Sequence, residues 1–242
     1  NLRNETRLVC EAPPGALFVC EYESFPMERG DLVTNPAWTF HDHWNQGTKP
    51  AIWIDGYDNG YNRGVNINER LPNDAPYQEI KKPAGYGPGT GGRARPVSTE
   101  PVFPLPPTRY PWAGTQAGLM ALREAGEEEP YEGIQLMLAS PVDGGPTLPT
   151  IAWQAQLLSA RQKTLAHRHN STTFYFGFEG EGAIVIEGER LEWQRGDIFA
   201  VPAWKWHHHE NNANGDSILF SIDDWPAMKK LGFYMKEEAR GF

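Results

Sequence analysis

The sequence is poor in cysteine, in long apolar runs and in basic residues, and each shortage excludes a class of protein. Two cysteines in 242 residues cannot form a disulfide framework, so we expect Cys10 and Cys20 to be free thiols. No apolar run approaches the roughly 20 residues of a transmembrane helix. The N-terminus has no basic segment followed by an apolar core, as a signal peptide has. We therefore expect a cytoplasmic protein without a membrane partner.

The shortage of positive charge excludes one kind of binding partner. The chain carries 22 Lys and Arg against 31 Asp and Glu, a formal net charge of −9. Nucleic-acid binding depends on clustered Lys and Arg that neutralise phosphates, and no such cluster occurs, so we exclude a nucleic-acid partner. The sequence does contain 25 Gly, 21 Pro and 12% aromatic residues, a composition that favours short strands and tight turns. It predicts an all-β fold with a few short helices.

An internal repeat organises the chain. Residues 30–43 read GDLVTNPAWTFHDH and residues 196–209 read GDIFAVPAWKWHHH, at a constant offset of 166 residues. Further upstream, residues 9–31 pair with residues 177–197 if two extra residues are allowed in the first copy. The chain therefore contains two copies of one β unit, and repeated short strands favour a closed barrel or jelly roll.

The second copy has the pattern of a β-hairpin followed by another strand. Residues 183–187 alternate and are rich in β-branched side chains, and we place a two-residue turn at Gly188-Glu189 before the returning strand 190–193. Residues 198–201 form the next predicted strand, which ends before Pro202. Two helices are also predicted, at residues 115–124 and 225–238.

Alignment of the copies predicts that the first barrel is incomplete in this sequence. Asn1 falls opposite His169, and no residue falls opposite His167. The stretch between the copies is dense in Pro and Gly and is typical of a linker. The predicted domains are a partial first barrel (1–72), a linker with a short helix (73–147) and a second barrel with a C-terminal helix (148–242).

Histidines of the second copy have the spacing of a metal site. His167 and His169 are two residues apart on a predicted strand and so project to the same face. His207 follows on a later strand, and three imidazoles that meet at one point suit iron, zinc, copper or nickel. His208 and His209 compete with His207; we choose His207 because it aligns with His41 of the first copy. The alternative reading is that these histidines are ordinary core or solvated residues.

These motifs resemble those of a known family. HRH, a glycine-rich hairpin and GDIFAVPAWKWHHH are similar to the two motifs of the cupin superfamily. RYPW (109–112), LPTIAW (148–153), LFSIDD (219–224) and LGFY (231–234) resemble the bicupin gentisate 1,2-dioxygenase family, which includes salicylate and 1-hydroxy-2-naphthoate dioxygenases. The resemblance covers nearly the whole chain.

The resemblance implies a double-stranded β-helix, or jelly-roll, bicupin that holds Fe(II) on His167, His169 and His207. It also implies an enzyme that uses dioxygen to cleave the ring of a small aromatic acid such as gentisate or salicylate. Many cupins carry a Glu four or five residues after the paired histidines, where this chain has Thr173 and Phe174, so three protein ligands are expected. The first copy lacks its paired histidines, so we expect catalysis to use the second site.

The sequence also offers candidate substrate-binding residues, and it leaves alternative functions open. We propose Gln154, Gln156, Trp206 and His209 as substrate-binding residues, although ordinary barrel packing would explain them equally well. We assign no catalytic residue beyond the metal ligands. The alternatives are a metal-binding cupin of another class, such as an isomerase or decarboxylase, and a catalytically silent structural bicupin. The unpaired strand edges of an incomplete barrel predict a homo-oligomer.

Overall fold

The computed structural model of the protein describes residues 3–65, 75–82 and 107–239. The chain divides into two compact units, one formed by Asn1–Trp112 with Ala139–Leu148 and the other by Ala113–Leu138 with Pro149–Phe242. Each unit contains one copy of the repeat. This division assigns residues 113–138 to the unit of the second copy, whereas the sequence placed them in the linker. The domain boundaries at residues 72 and 147 stay a prediction.

The first unit consists of short antiparallel strands in two sheets. Its elements are β1 (Glu5–Glu11), β2 (Ala16–Cys20), β3 (Glu23–Pro26), β4 (Leu32–Asn35), β5 (His41–Asn45), β6 (Ile52–Tyr57), α1 (Asn59–Gly64) and β7 (Arg109–Tyr110). One sheet has the order β6-β1-β4-β7 and the other the order β3-β2-β5. The alternating apolar side chains of these strands form a core that includes Val9, Phe18 and Val33.

The second unit has the same design, with more strands in each sheet. Its elements are α2 (Trp112–Ala125), β8 (Ile134–Met137), β9 (Ala152–Leu158), β10 (His167–His169), β11 (Thr173–Glu179), β12 (Glu181–Ile186), β13 (Glu189–Gln194), β14 (Ile198–Val201), β15 (His207–Glu210), β16 (Ser217–Asp223), α3 (Trp225–Lys230) and β17 (Lys236–Glu238). The two five-stranded sheets have the orders β13-β12-β15-β10-β17 and β14-β11-β16-β9-β8. Core side chains include Tyr175, Ile184, Trp193 and Leu219.

The sequence repeat corresponds to a repeated strand topology. β1 pairs with β4 and β6 as β11 pairs with β14 and β16, and β2 pairs with β3 and β5 as β12 pairs with β13 and β15. Irregularities occur at matching places, between Val9 and Glu11 and between Gly177 and Glu179. Trp38 has a φ of 69° where Trp204 has a φ of 63°. The all-β jelly-roll prediction is confirmed, and the two copies share even their strained turns.

Two local predictions were wrong. The hairpin turn lies at Glu187-Gly188, one residue earlier than predicted, because Ile186 pairs with Glu189 and both turn residues have positive φ, 50° and 87°. The helix predicted over 225–238 stops at Lys230. Gly232 then takes a φ of 76°, and residues 236–238 form β17, whose partner is β10.

Other predictions agree with the structure. The helix predicted over 115–124 is present as α2 and is followed by Gly126 with a φ of 73°. Both cysteines are free thiols; Cys20 is buried and Cys10 half-buried. The densest Pro and Gly part of the linker, residues 83–106, lies outside the described residues. No helix in the described ranges is long and apolar enough to cross a membrane.

Candidate metal centre

Three histidines meet inside the second unit. Strand β10 is hydrogen-bonded between β15 and β17, and its His167 lies directly opposite His207 in register. Because strand residues i and i+2 share a face, His169 joins them. One ring nitrogen from each of His167, His169 and His207 lies within 4.8 Å of the other two, and all three side chains are buried. Among the described residues, this is the group of side chains that could hold a metal ion.

Hydrogen bonds fix the ring orientation of two of these histidines. His207 Nδ1 lies 2.9 Å from the carbonyl oxygen of Lys205. His169 Nδ1 lies 3.0 Å from the carbonyl oxygen and 2.9 Å from Oγ of Ser171. A carbonyl oxygen can only accept, so each Nδ1 carries the proton and donates it. The lone pair of each ring is therefore on Nε2, the atom that is left to bind a metal.

Burial favours the neutral, metal-binding form of His207 and His169. Burial, followed by the proximity of His167, lowers the pKa of His207 to about 3. The same two causes lower the pKa of His169. His207 Nε2 and both ring nitrogens of His167 are buried without a hydrogen-bond partner. Buried polar atoms normally have partners, so the Nε2 atoms of His167 and His207 fit a divalent transition metal, which binds one nitrogen of each ring.

A carboxylate that the sequence analysis missed lies beside the histidines. Glu132 Oε1 lies 3.0 Å from His167 Nε2, and its Oε2 lies 3.4 Å from His209 Nε2. Gln156 Nε2 donates to Glu132 Oε2 over 3.0 Å and to the Glu132 carbonyl oxygen over 2.6 Å. Burial raises the pKa of Glu132, but His167 and His209 lower it by more, so it lies well below its ordinary value.

The position of Glu132 results from the turn that precedes β8. Glu129 Oε2 accepts hydrogen bonds from the backbone N–H groups of Tyr131 and Glu132, over 2.9 and 2.7 Å. Gly133 has a φ of 74° and leads into β8, which pairs Gln135 with Gln156 of β9. Glu132 is far from the histidines in sequence and belongs to no spaced motif, so no signal in the sequence pointed to it.

A cavity of about 390 Å³ adjoins the histidine cluster within the second unit. Its lining includes His167, His169, Glu132 and Gln154, with Lys229 and Lys236 as its basic residues. Cavities of 300–1,000 Å³ are typical of small-molecule sites. The arrangement therefore combines a potential metal centre with space for a ligand of the size of an aromatic acid.

The structure separates the four residues that were predicted to bind substrate. Gln154 lines the cavity, and its Oε1 accepts a hydrogen bond from Ser221 Oγ over 3.0 Å. Gln156 and His209 are fully buried and contact Glu132. The ring of Trp206 is outside the cavity lining and lies 4.8 Å from the guanidinium carbon of Arg168. Only Gln154 is thus in a position to touch a molecule in this cavity.

In the first unit, His41 aligns with His207 of the second unit but has different neighbours. His41 Nε2 lies 3.0 Å from Arg7 Nη2 and 3.2 Å from Glu5 Oε2. Burial, followed by the charge of Arg7, lowers the pKa of His41 to about 4. Its ring centroid lies 5.5 Å from that of His43. Among the described residues, His41 nevertheless belongs to a charged cluster and to no group of three side chains that could hold a metal ion.

The paired jelly-roll sheets and the inward-facing histidine cluster define the class of protein as a cupin, and a family model described as "Cupin domain" matches residues 156–223. The chain is 33% identical over 249 residues to the gentisate 1,2-dioxygenase of Haloferax sp, an alignment that covers 97% of this chain and 68% of that protein. The chain belongs to the gentisate 1,2-dioxygenase family.

Two other similar proteins are also named 1,2-dioxygenases. The chain is 37% identical to the 5-aminosalicylate 1,2-dioxygenase of Comamonas sp over 89% of its own length and 58% of that protein. The solved structure of the salicylate 1,2-dioxygenase from Pseudoaminobacter salicylatoxidans, described as adducts with gentisate, has a TM-score of 0.81 and 26% identity over 99% of this chain and 67% of that one. The chain thus spans about 58–68% of the length of these relatives.

Proposed function

We propose that this chain is part of, or constitutes, an Fe(II)-dependent dioxygenase that cleaves the ring of a hydroxylated aromatic carboxylate of the gentisate type. The observation that carries the proposal is the group of three buried histidines with two Nε2 atoms, those of His167 and His207, that lack a partner. They adjoin a cavity of suitable size. Both features belong to the second unit, so we place the reaction there.

The residues His167, His169 and His207 would hold the iron. When bound, Fe(II) supplies open positions at which an aromatic acid and dioxygen are brought together and exchange electrons. The protein's task is then to bind and orient the substrate, and a site with three imidazole ligands leaves room for it. The metal identity follows from the family resemblance and is part of the proposal.

The carboxylate of the substrate would be bound at the basic side of the cavity. Lys229 and Lys236 are the cavity's cationic side chains, and Lys236 Nζ is also 2.9 Å from Glu238 Oε1. Gln154 can donate a hydrogen bond from its amide nitrogen, since its oxygen already accepts one from Ser221. Burial raises the pKa of Tyr234 to about 12, so its hydroxyl stays protonated and can donate to a substrate oxygen.

The remaining predicted substrate contacts receive other roles. Gln156 and His209 would act through Glu132, which both contact. For Trp206, the cavity gives no support to a substrate contact. The cytoplasmic location stays a prediction.

A homo-oligomer is part of the proposal, with strands of the first unit at the interface. In the described part of the chain, β5 is the outer strand of its sheet and pairs only with β2. Its counterpart β15 is enclosed between β12 and β10. An open strand edge favours pairing with another chain. Light scattering at micromolar concentration should show an oligomer, and a monomer would contradict this proposal.

Oxygen uptake tests the function. The protein is reconstituted anaerobically with Fe(II), and oxygen consumption is measured with gentisate, salicylate and 1-hydroxy-2-naphthoate. His167→Ala should abolish uptake, whereas the control His208→Ala should retain it, because His208 contacts Glu210 and lies outside the cluster.

The outcomes separate the possibilities. Uptake that survives in His167→Ala would place the reaction elsewhere. Stoichiometric iron without uptake would contradict the dioxygenase. Substrate loss without oxygen consumption would point to an isomerase or decarboxylase.

A further inference from the structure

We propose that Glu132 is a fourth protein ligand of the metal centre and that it binds through Oε1. The inference rests on the proposed metal site and extends it. The carboxylate that many cupins carry shortly after the paired histidines is absent here, since Thr173 is at that place. Thr173 instead donates a hydrogen bond from Oγ1 to Asp223 Oδ2 over 2.8 Å. The structure offers a carboxylate from another element, the turn before β8.

The distance between Glu132 and His167 matches that of two ligands of one ion. Oε1 lies 3.0 Å from His167 Nε2, and this nitrogen is buried without a hydrogen-bond partner. Two ligands bound at a right angle with bonds of about 2.1 Å lie about 3.0 Å apart. A cation bound by both atoms therefore accounts for this distance.

The buried negative charge of Glu132 also favours a metal ion beside it. The side chain of Glu132 is 11% exposed, and its ion-pair contacts among the described residues are with His167 and His209 only, without Lys or Arg. A buried carboxylate is costly unless a cation or several hydrogen bonds compensate it. A divalent ion at the histidine cluster would supply the missing positive charge.

The two oxygens of Glu132 have separate environments. Oε2 accepts the hydrogen bond from Gln156 and faces His209, whereas Oε1 faces His167. Glu129 holds only the backbone of Glu132. Glu132 lies outside the group of ligand atoms that are within 4.8 Å of one another, so its side chain must turn Oε1 towards His169 and His207 to bind the ion. Gln156 and His209 are thus positioning residues, and they leave Oε1 available for the metal.

Cobalt(II) binding tests the inference, because the visible absorption of Co(II) responds to its ligands. The metal-free chain is titrated with Co(II), and affinity and spectrum are compared for the unsubstituted chain, Glu132→Gln and the control Glu238→Gln. Glu238 is exposed and lies opposite His167 on β17, so its variant also removes one negative charge near the site. Glu132→Gln should weaken binding by at least about 100-fold and change the spectrum, and Glu238→Gln should do neither.

Each outcome decides the question. If the unsubstituted chain binds no Co(II), the metal site of the proposed function fails, and with it this inference. If it binds Co(II) and Glu132→Gln leaves the spectrum unchanged, only the inference on Glu132 is overturned. Thermal unfolding of the metal-free variants checks folding. Should Glu132→Gln not fold, Glu132→Asp retains the charge and retracts the carboxylate by one methylene, and an unchanged spectrum in that variant overturns the inference equally.

Discussion

Ser171 Oγ lies 2.9 Å from His169 Nδ1 and 3.2 Å from Asp223 Oδ2, so one hydroxyl connects a proposed metal ligand to a buried carboxyl group. The hydroxyl donates its proton to Asp223 and accepts from the Nδ1–H of His169. The contact orients the ring of His169 and fixes its tautomer.

Ser171→Ala should therefore weaken metal binding without abolishing it. Loss of the hydroxyl leaves the ring of His169 held by the Ser171 carbonyl oxygen alone. Changes to such supporting contacts typically reduce metal affinity by about 10–100-fold. Calorimetric titration with Co(II) measures the effect, and Ser24→Ala in the first unit is the control. An affinity equal to that of the control variant would show that the hydroxyl does not position His169.

Lys229→Met and Lys236→Met should each raise KM for the aromatic acid by about 10-fold, because a hydrogen bond to a charged group contributes about 1.5–3 kcal/mol and these side chains are partly solvated. Lys230→Met is a matched control, since Lys230 is exposed, adjacent to Lys229 and absent from the cavity lining. Steady-state oxygen uptake gives KM and kcat separately. Unchanged KM in both variants would place the carboxylate elsewhere.

Gly182→Ala should destabilise the second unit by about 2 kcal/mol or more. An added Cβ at this position would lie 2.7 Å from Trp193 Cζ2 and 2.8 Å from the carbonyl oxygen of Glu210, next to β15 and its histidines. Gly215→Ala is the control, because no atom lies within 4 Å of the Cβ it would add. Urea denaturation measures both variants. Equal midpoints would mean that Trp193 and β15 can shift at no cost.

The buried carboxyl of Asp223 should give the metal-free chain a measurable pH dependence. Burial raises the pKa of Asp223 to about 6, above its ordinary value of 3.8. The folded chain then binds this proton more tightly than the unfolded chain, so stability falls as the pH rises from about 4 to about 6. The loss is at most about 3 kcal/mol.

Asp223→Asn isolates this effect, because the asparagine does not titrate. The free energy of unfolding of the unsubstituted chain, relative to that of Asp223→Asn, should fall between pH 4 and 6 and be constant above pH 7. Urea denaturation at several pH values in the presence of a chelator gives the difference. Parallel curves for the two proteins across this range would contradict the raised pKa.

Much of the second unit could be predicted from its sequence because local patterns determine it. Strand β14 has the predicted bounds Ile198–Val201, since Gly196-Asp197 and Pro202 define both ends. Period-two spacing brings His167 and His169 to one face, and the repeat selects His207 as the residue that joins them. What binds at these residues stays a proposal.

Other features depend on contacts between distant residues and could not be predicted. Glu187 adopts a positive φ because its turn connects two strands whose register is set by pairing, although glutamate rarely takes this conformation. Residues 236–238 have the composition of a helix but form a strand, because β10 offers them an edge. Glu132 reaches the histidines only because β8 pairs with β9.

The pairing of β17 with β10 also determines when, during synthesis of the chain, the metal-binding strand is complete. On its other side, β10 pairs with β15 through the single register partner His207, whereas β17 provides partners for all three residues of β10. A nascent chain that has emerged only as far as α3 therefore carries its paired histidines on a strand that lacks one of its two neighbouring strands. We expect the metal to be captured only after residues 236–238 have left the ribosome, so that acquisition of the ion follows translation of the unit that binds it.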